Sequence, residues 1–432
     1  MRLMSTAMAS STRIRAPTIH WSLVVLLLTV LALVTLPTFL PHRAIATATQ
    51  MQIAALFALA FNILWRQTRL LSFGHAAFFG IGMFATVHIM RTAAGGTVFL
   101  PLPLLPIFGL MAGLVLGVIV GFFATARTGT YFAMITLAFA EIIHQLSPQW
   151  QGAFGGESGL SAMRIAWAGL SFGSDKEVYY LVLAWSLAAI AGIHYFTLTP
   201  LGRLAFALGD NEQRVRFLGY NARLAKTLVF IVSAMFTGLA GGLLAIANEN
   251  VDHTIFRASL SGQVVVHTFI GGAGTFLGPI VGAAAMTMFG SLAADLTRLW
   301  VLYQGLLFIV MVMYLPQGIV GLATDRAAHW RWRELGSLLP SLLAVLAGII
   351  LLVAGIVFIA EFLAALTTNP FARRTDSGAV SVALWGATWD RAALTTWLLP
   401  VCSVAGGLIL TRLGARRLSH AASAGVQQTA HG

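Results

Sequence analysis

Residues 199–226 read TPLGRLAFALGDNEQRVRFLGYNARLAK. This stretch carries Arg203, Arg214, Arg216, Arg223 and Lys226 against only Asp210 and Glu212. It is the one long, strongly basic interior segment that joins two long apolar runs, about 178–198 and 227–247. Apolar runs of roughly 20 residues cross a bilayer as helices, so the polar stretch between them lies at one membrane face. It also holds a compact helix signal. Asp210 is placed to cap an N-terminus, Gln213 stands three residues on in capping-box register, and Gly219 is placed to close the helix at C′. The spacing predicts about two turns, Asn211 to Leu218. Two turns are too few to be stable alone in water, so the helix needs a surface to dock on. Two accounts stay open from the residues: a helix that docks on a partner protein through Val215, Phe217 and Leu218, or an ordinary loop whose arginines only set topology.

Working outward, apolar runs recur at about 22–40, 47–65, 72–90, 103–124, 130–146, 178–198, 227–247, 259–273, 275–292, 300–322, 338–364 and 394–411. The eighth is short, and Gly271, Gly272 and Gly274 interrupt it and its successor, which suits a re-entrant or broken pair. Of 432 residues, 58% are hydrophobic and 9% charged, a composition for a lipid bilayer and not for a soluble domain. The fold class that follows is an all-α polytopic membrane protein. The 26 Lys and Arg are scattered between the runs and not gathered on a soluble face, so the net charge of +12 sets topology and implies no nucleic-acid partner. With the N-terminus in the cytoplasm, 17 of them fall on inside segments, including Arg2, Arg66, Arg69, Arg127 and the 199–226 loop. Nine fall outside, including Arg91, Arg164 and Lys176. That bias favours this orientation and puts the 147–177 loop outside. Ala44-Ile45-Ala46 after Trp21–Leu40 imitates a signal-peptide site, but the apolar run is too long, which predicts an uncleaved first helix.

Glycines recur every four residues in three runs: Gly109, Gly113, Gly117 and Gly121; Gly238 and Gly242 after Ala234; Gly274, Gly278 and Gly282. This spacing sets them on one helix face and predicts close helix–helix packing. The ionisable groups in or beside the runs are His75, Glu141, His144, His267 and Glu361. Such groups are expensive in lipid and usually face a cavity or a partner. Glu141 and His144 lie three apart on one face, placed either to pair with each other or to line a solute path, with His75 a further path candidate.

The absences bound the function too. The sole cysteine, Cys402, permits no intrachain disulfide and no cysteine metal cluster. There is no Walker A loop and no HExxH, so no cofactor is expected, and driven work needs a separate energy source. Gly156-Glu157-Ser158-Gly159 imitates a serine-protease motif, but it lies in a polar loop and Leu160 breaks the GxSxG form.

Eight segments, in order, resemble the M-type permease subunit of branched-chain amino acid ABC importers. They are LSFGHAAFFGIG (71–82), GTYFAMITLAFAEI (129–142), FGGESGL (154–160), TPLGR (199–203), DNEQRVRFLGYN (210–221), KTLVFIVSAMFTGLAGGLLA (226–245), FIGGAGTFLGPIVGA (269–283) and YQGLLFIVMVMYLPQGIVGL (303–322). The resemblance covers roughly 45–323. It implies a type II importer bundle of about ten helices and no enzymatic chemistry in this chain. It also implies a second, H-type permease subunit, two ATP-binding subunits, a periplasmic solute-binding protein and a bacterial inner-membrane location. It makes 199–226 the cytoplasmic coupling loop, with Glu212 and Gly219 at the positions that dock into the ATPase and with Arg203, Asp210 and Arg214 beside them. Departures are Arg214 and Val215 where two small residues are usual, Gly209 where a basic one is frequent, and Met83-Phe84 for Ala-Tyr. The form of 210–220 also resembles urea- and amide-transporting relatives. A stand-alone secondary transporter or channel, for a solute such as urea, is the competing reading.

The domain plan is then a cytoplasmic N-terminal segment at 1–21, a permease domain at 22–323, a C-terminal extension at 324–412 with two further spans, and a disordered tail at 413–432.

Overall fold

The structure, a computed structural model, describes residues 21–96, 99–167, 169–297, 299–314, 317–321, 335–368, 381–384, 387–390 and 393–430. Each of the twelve apolar runs forms a helix, because a segment in hydrocarbon satisfies its backbone polar groups only within itself. The chain runs through α1 (Trp21–Phe39), α2 (His42–Thr68), α3 (His75–Ala94), α4 (Pro106–Ala124), α5 (Thr130–Leu146), the single turn α6 (Gln151–Phe154) and α7 (Asp175–Leu198). It continues through α8 (Pro200–Asp210), α9 (Glu212–Phe217), α10 (Ala222–Asn248), α11 (Ala258–Gly271), α12 (Gly278–Leu296) and α13 (Trp300–Tyr314). Two long helices follow, α14 (Leu335–Thr368) and α15 (Leu394–Ala430). Among the described residues, nine helices are long and apolar enough to cross a membrane. Residues 1–20 of the N-terminal segment and residues 322–334, which end the permease domain and open the extension, lie outside the described residues.

Two compact units divide the chain at Phe289 and Gly290. In the first, α10 is the hub and packs on α2, α3 and α4. The four-residue glycine spacing falls on those contacts. A Cβ at Gly238 would sit 2.3 Å from the Gly109 carbonyl oxygen, one at Gly113 2.5 Å from that of Ala234, and one at Gly82 2.2 Å from that of Gly238. Three backbones therefore touch with no side chain between them, the close approach that glycine permits. In the third glycine series, Gly278 and Gly282 make such contacts with Gly272, Gly271 and His267, but Gly274 stands in the turn before α12 and faces open space.

α11 is 14 residues long, about 21 Å at 1.5 Å per residue, and is too short to cross about 30 Å of hydrocarbon. It stops at Gly272 in the left-handed region, and α12 returns alongside it with the two backbones in contact. The pair is thus a hairpin of unequal arms, a short α11 and an α12 long and apolar enough to cross a membrane. Asn62 Nδ2 donates to the Thr275 carbonyl at 3.1 Å and Arg66 Nε to that of Gly274 at 3.2 Å, so the 272–277 turn is seated on the end of α2. Arg223 Nη2 donates to the Phe122 carbonyl at 2.8 Å and ties the start of α10 to the end of α4. At the other end of the unit, His88 bonds the Ala153 carbonyl at 2.7 Å and Trp185 Nε1 donates to that of Pro103 at 2.8 Å. A two-residue antiparallel ladder pairs β1 (Leu160–Ser161) with β2 (Asn250–Val251) at that same end.

In the second unit, α14 and α15 form an antiparallel hairpin packed on glycine. A Cβ at Gly348 would meet the Thr411 nitrogen at 2.7 Å, and one at Gly407 the Leu352 nitrogen at 2.6 Å. β3 (Ser381–Leu384) pairs with β4 (Ala387–Asp390), and Trp389 packs edge-on against Phe358 with ring centroids 4.8 Å apart. Glu361, the ionisable group of this hairpin, accepts hydrogen bonds from Thr297 Oγ1 and, at 2.9 Å, from the Tyr303 hydroxyl. The tail expected to be disordered from 413 is helical through Ala430, as its alanine-rich, proline-free sequence permits.

A candidate coupling site between Thr199 and Lys226

The stretch expected as a loop is mostly helix. Thr199 Oγ1 accepts from the Gly202 N–H at 3.1 Å and caps α8, with Pro200 in the first turn where its missing N–H costs nothing. α8 is amphipathic. Leu201, Leu204, Ala205 and Leu208 face inward, while Arg203, Phe206 and Asp210 are exposed. It rests on the end of α2, where Arg66 lies 5.8 Å over the Phe206 ring and a Cβ at Gly209 would meet the Gln67 carbonyl oxygen at 2.8 Å.

Asp210 does not cap the next helix; it is the last residue of α8. The cap is Asn211, whose extended backbone (φ −155°) breaks the chain and whose Oδ1 accepts from the Arg214 N–H at 2.9 Å. Asp and Asn compete for the same role, and continuation of the α8 helix through Asp210 decides it. α9 is thus Glu212–Phe217, one residue shorter at each end than the spacing predicts. It closes as expected at Gly219, which takes φ +86°. The Gly219 N–H donates to the Arg216 carbonyl and the Tyr220 N–H to that of Val215, the pattern of a Schellman stop. Asn221 then caps α10 by accepting from the Leu224 N–H at 3.1 Å.

Two interactions seat this small helix. Val215 is buried against Leu208, Ala222 and Ala225, with Leu201 and Leu204 beside them, about 1.5–3 kcal/mol of apolar burial. Glu212 Oε2 accepts from Lys226 Nζ at 2.5 Å, and its Oε1 from Arg216 Nη2 at 2.6 Å. Lys226 is 3% exposed. Burial by itself would raise the Glu212 pKa, but hydrogen bonds from Lys226 and Arg216 and their charges outweigh it and hold the carboxyl below its ordinary range. The opposite face is left bare. Phe217 is 90% and Leu218 69% exposed, with Tyr220, Arg214 and Gly219 exposed around them.

The path candidates separate. His75 is wholly buried, with its ring among Phe61, Phe78 and Phe230. Its Nε2 donates to Ser233 Oγ at 2.9 Å, because the Ser233 hydroxyl itself donates to the Ala60 carbonyl at 2.7 Å. It is a packing joint of α2, α3 and α10. Glu141 and His144 do not pair. Glu141 is exposed and accepts from Gln145 Nε2 at 2.6 Å, while His144 turns away to stack on His253, with centroids 6.2 Å apart.

Sequence reasoning missed Arg164, which it counted only as an outside charge. Its guanidinium donates to the carbonyls of Ile246 and Ala247 at 2.8 Å each and to that of Phe172 at 3.0 Å. Its N–H donates to Glu249 Oε1 at 2.9 Å. The partners at the end of α10 lie 82 to 85 positions away, so no local pattern announces them.

Residues 43–315 match the family described as "Branched-chain amino acid transport system / permease component". The chain is 28% identical over 327 residues to the high-affinity branched-chain amino acid transport system permease protein LivM of Escherichia coli (strain K12), covering 70% of this chain and 76% of that protein. It is 27% identical over 308 residues to LivM of Salmonella typhimurium, covering 66% and 71%. It is 28% identical over 199 residues to the ribose import permease protein RbsC of Haemophilus influenzae, covering 43% and 58%. No solved structure matches the chain. A match over more than half the chain, on an all-helical bundle of membrane length, places this protein in the branched-chain amino acid transport system permease family, as a multi-pass permease component of an ABC importer.

Proposed function

We propose that the chain imports branched-chain amino acids, or similarly small polar solutes, into the cytoplasm of a bacterial cell across its inner membrane. It works with a second, H-type permease subunit, two ATP-binding subunits and a periplasmic solute-binding protein. The observation that carries this reading is the 199–226 module, seated by Val215 and the Glu212–Lys226 pair while Phe217, Leu218, Tyr220 and Arg214 stand bare. A helix held on one side and apolar on the other is suited to insert into a partner's groove. The positive-inside bias puts that module in the cytoplasm, where ATP is, with the N-terminus on the same side. In this reading Arg203, Asp210 and Arg214 make the exposed polar rim of the ATPase dock. Glu212 works from behind, and Gly219 supplies the turn that presents Phe217 and Leu218.

Glu141 is the remaining path candidate. Its carboxylate is exposed on α5 between Leu137 and Gln145, and a charge at membrane depth is tolerated only against water or a partner. A solute path between the two permease subunits meets that need. The solute is assigned by likeness to the LivM proteins, which match about two thirds of the chain. The test is to extract the tagged protein from its native membrane in mild detergent and identify what comes with it. A second permease and P-loop ATPases are expected, with uptake in proteoliposomes that requires ATP and the solute-binding protein. Uptake by the isolated chain without ATP overturns the reading in favour of a stand-alone transporter.

A further inference from the structure

Both ends of α10 are bolted to the segments that face the partners. At the inner end, Lys226, buried in the first turn region of α10, holds Glu212 at 2.5 Å, so α9 cannot shift without α10. At the outer end, the last carbonyls of a helix have no partners of their own and carry partial negative charge. Arg164 takes two of them, Ile246 and Ala247, while its third bond holds the Phe172 carbonyl. Glu249, in the left-handed region at the helix end (φ 59°), accepts twice from the strap: its side chain from the Arg164 N–H and its carbonyl from the Ala162 N–H, both at 2.9 Å. The strap that runs on from β1 is held at its start by the β1–β2 ladder and the Glu249 bonds, and the Arg164 fork adds the side-chain link from α10 across to Phe172, with Met163, Trp167 and Leu170 exposed on its outside. Between the bolts, from Lys226 to Ile246, the helix is unbroken for about 30 Å and its middle is pressed backbone-to-backbone on α3 and α4. There is no proline in it, and Ala234, Gly238, Gly241 and Gly242 hold its middle directly against the backbones of α3 and α4.

We propose that α10 is the strut that carries force between the ATPase-facing module and the strap that faces the solute-binding protein, and that Arg164 is the positioning residue at its outer end. The proposal rests on the importer reading above. Arg164 touches no solute. Its side chain is 12% exposed, and it acts by making the strap and α10 one body.

The test uses the whole complex, permeases and ATPases together, in lipid nanodiscs. ATP hydrolysis is titrated with solute-loaded binding protein for the wild type, Arg164→Lys, Glu212→Gln and the double variant. Lysine keeps the charge and the stem but loses the fork, so it reaches fewer of the three carbonyls. The expected result is that Arg164→Lys lowers the maximal stimulation several-fold at an unchanged half-saturating concentration of binding protein. The double variant falls no lower than the weaker single one, because cutting a strut twice adds nothing. A raised half-saturation with an unchanged maximum overturns the proposal, since Arg164 would then only shape the dock. Effects that multiply in the double variant also overturn it. Should the wild-type chain bring no ATPase with it, the importer reading fails and the strut with it. Stimulation of the wild type with any of the other outcomes sinks the strut alone.

Discussion

Glu212→Gln and Lys226→Met remove the two halves of one ion pair, and the structure makes their costs unequal. The Lys226 side chain is 4% exposed and the Glu212 side chain 29%. Removing one partner of a fully buried pair costs about 3–5 kcal/mol, because the other charge is stranded. Solvent reaches the Glu212 side and lowers that for Glu212→Gln to about 2–3 kcal/mol. Lys226→Met is milder. The methionine refills the space of the aliphatic stem, and Glu212 keeps Arg216 and water, so the cost is about 1 kcal/mol or less. The double variant leaves no buried charge and behaves like Lys226→Met. With about 1.4 kcal/mol to each factor of ten, α9 opens roughly thirty- to a hundredfold more often in Glu212→Gln and less than about tenfold more in the other two. Limiting trypsin reads this directly, since Arg214 and Arg216 lie in α9 and cleavage follows the open population while reclosing is fast. Cutting at those two sites should accelerate strongly in Glu212→Gln and return toward wild type when Lys226→Met is added. Equal acceleration in the two single variants, or a double variant worse than either, refutes the stranded-charge argument.

The same pair has a pH signature. The folded pKa of Glu212 lies below its reference of 4.5, so the pair's contribution is complete above that value and is lost as pH falls below it toward the folded value. Hydrogen exchange of the 212–218 amides, corrected for intrinsic rates, should be flat from neutral pH to about 5, rise below 4.5, and lose that rise in Glu212→Gln. Gly219→Ala meets open space but must hold φ +86°, at about 1–2 kcal/mol, and should reduce ATP-dependent uptake while Gly219→Asn retains more of it. Gly238→Ala would drive a Cβ to 2.3 Å from the Gly109 carbonyl oxygen; loss of the monodisperse protein is expected, whereas Gly262→Ala, with nothing within 4 Å, should be tolerated. Glu141→Gln should lower transport with the complex intact by size-exclusion chromatography, and unchanged transport would remove Glu141 from the path.

All twelve apolar runs were legible because hydrocarbon imposes length and apolarity on each helix separately, without reference to its neighbours. The glycine contacts of Gly109, Gly113 and Gly238 were legible for the same reason: a four-residue spacing is local. What was not legible depends on neighbours. Asp210 and Asn211 are equivalent caps by composition, and only the reach of α8 chooses between them. His75 reads as a charge in a membrane until Ser233, 158 positions on, is placed beside it. Glu141 and His144 share a face by spacing, yet His253 draws the imidazole aside. The match to a permease family was legible in ordered motifs, while the inward turn of Glu212 toward Lys226, 14 positions on, depends on how α9 folds back on α10.

The α11–α12 hairpin bears on how the chain enters the bilayer. α11 falls about 9 Å short of the hydrocarbon thickness, so it has too little apolar length to be released from the insertion machinery as a span in its own right. It must wait for α12, and the 272–277 turn has its carbonyl partners, Asn62 and Arg66, only once α2 is already in the membrane. Biogenesis therefore has a built-in order. The N-terminal helices insert first and supply a polar seat; α12 is long and apolar enough to insert by itself, whereas α11 partitions onto that seat afterwards, as a folding step and not an insertion step. A chain ending after Gly271 should leave that segment outside the lipid, open to membrane-impermeant thiol reagents at an introduced cysteine, and a chain ending after α12 should shield it.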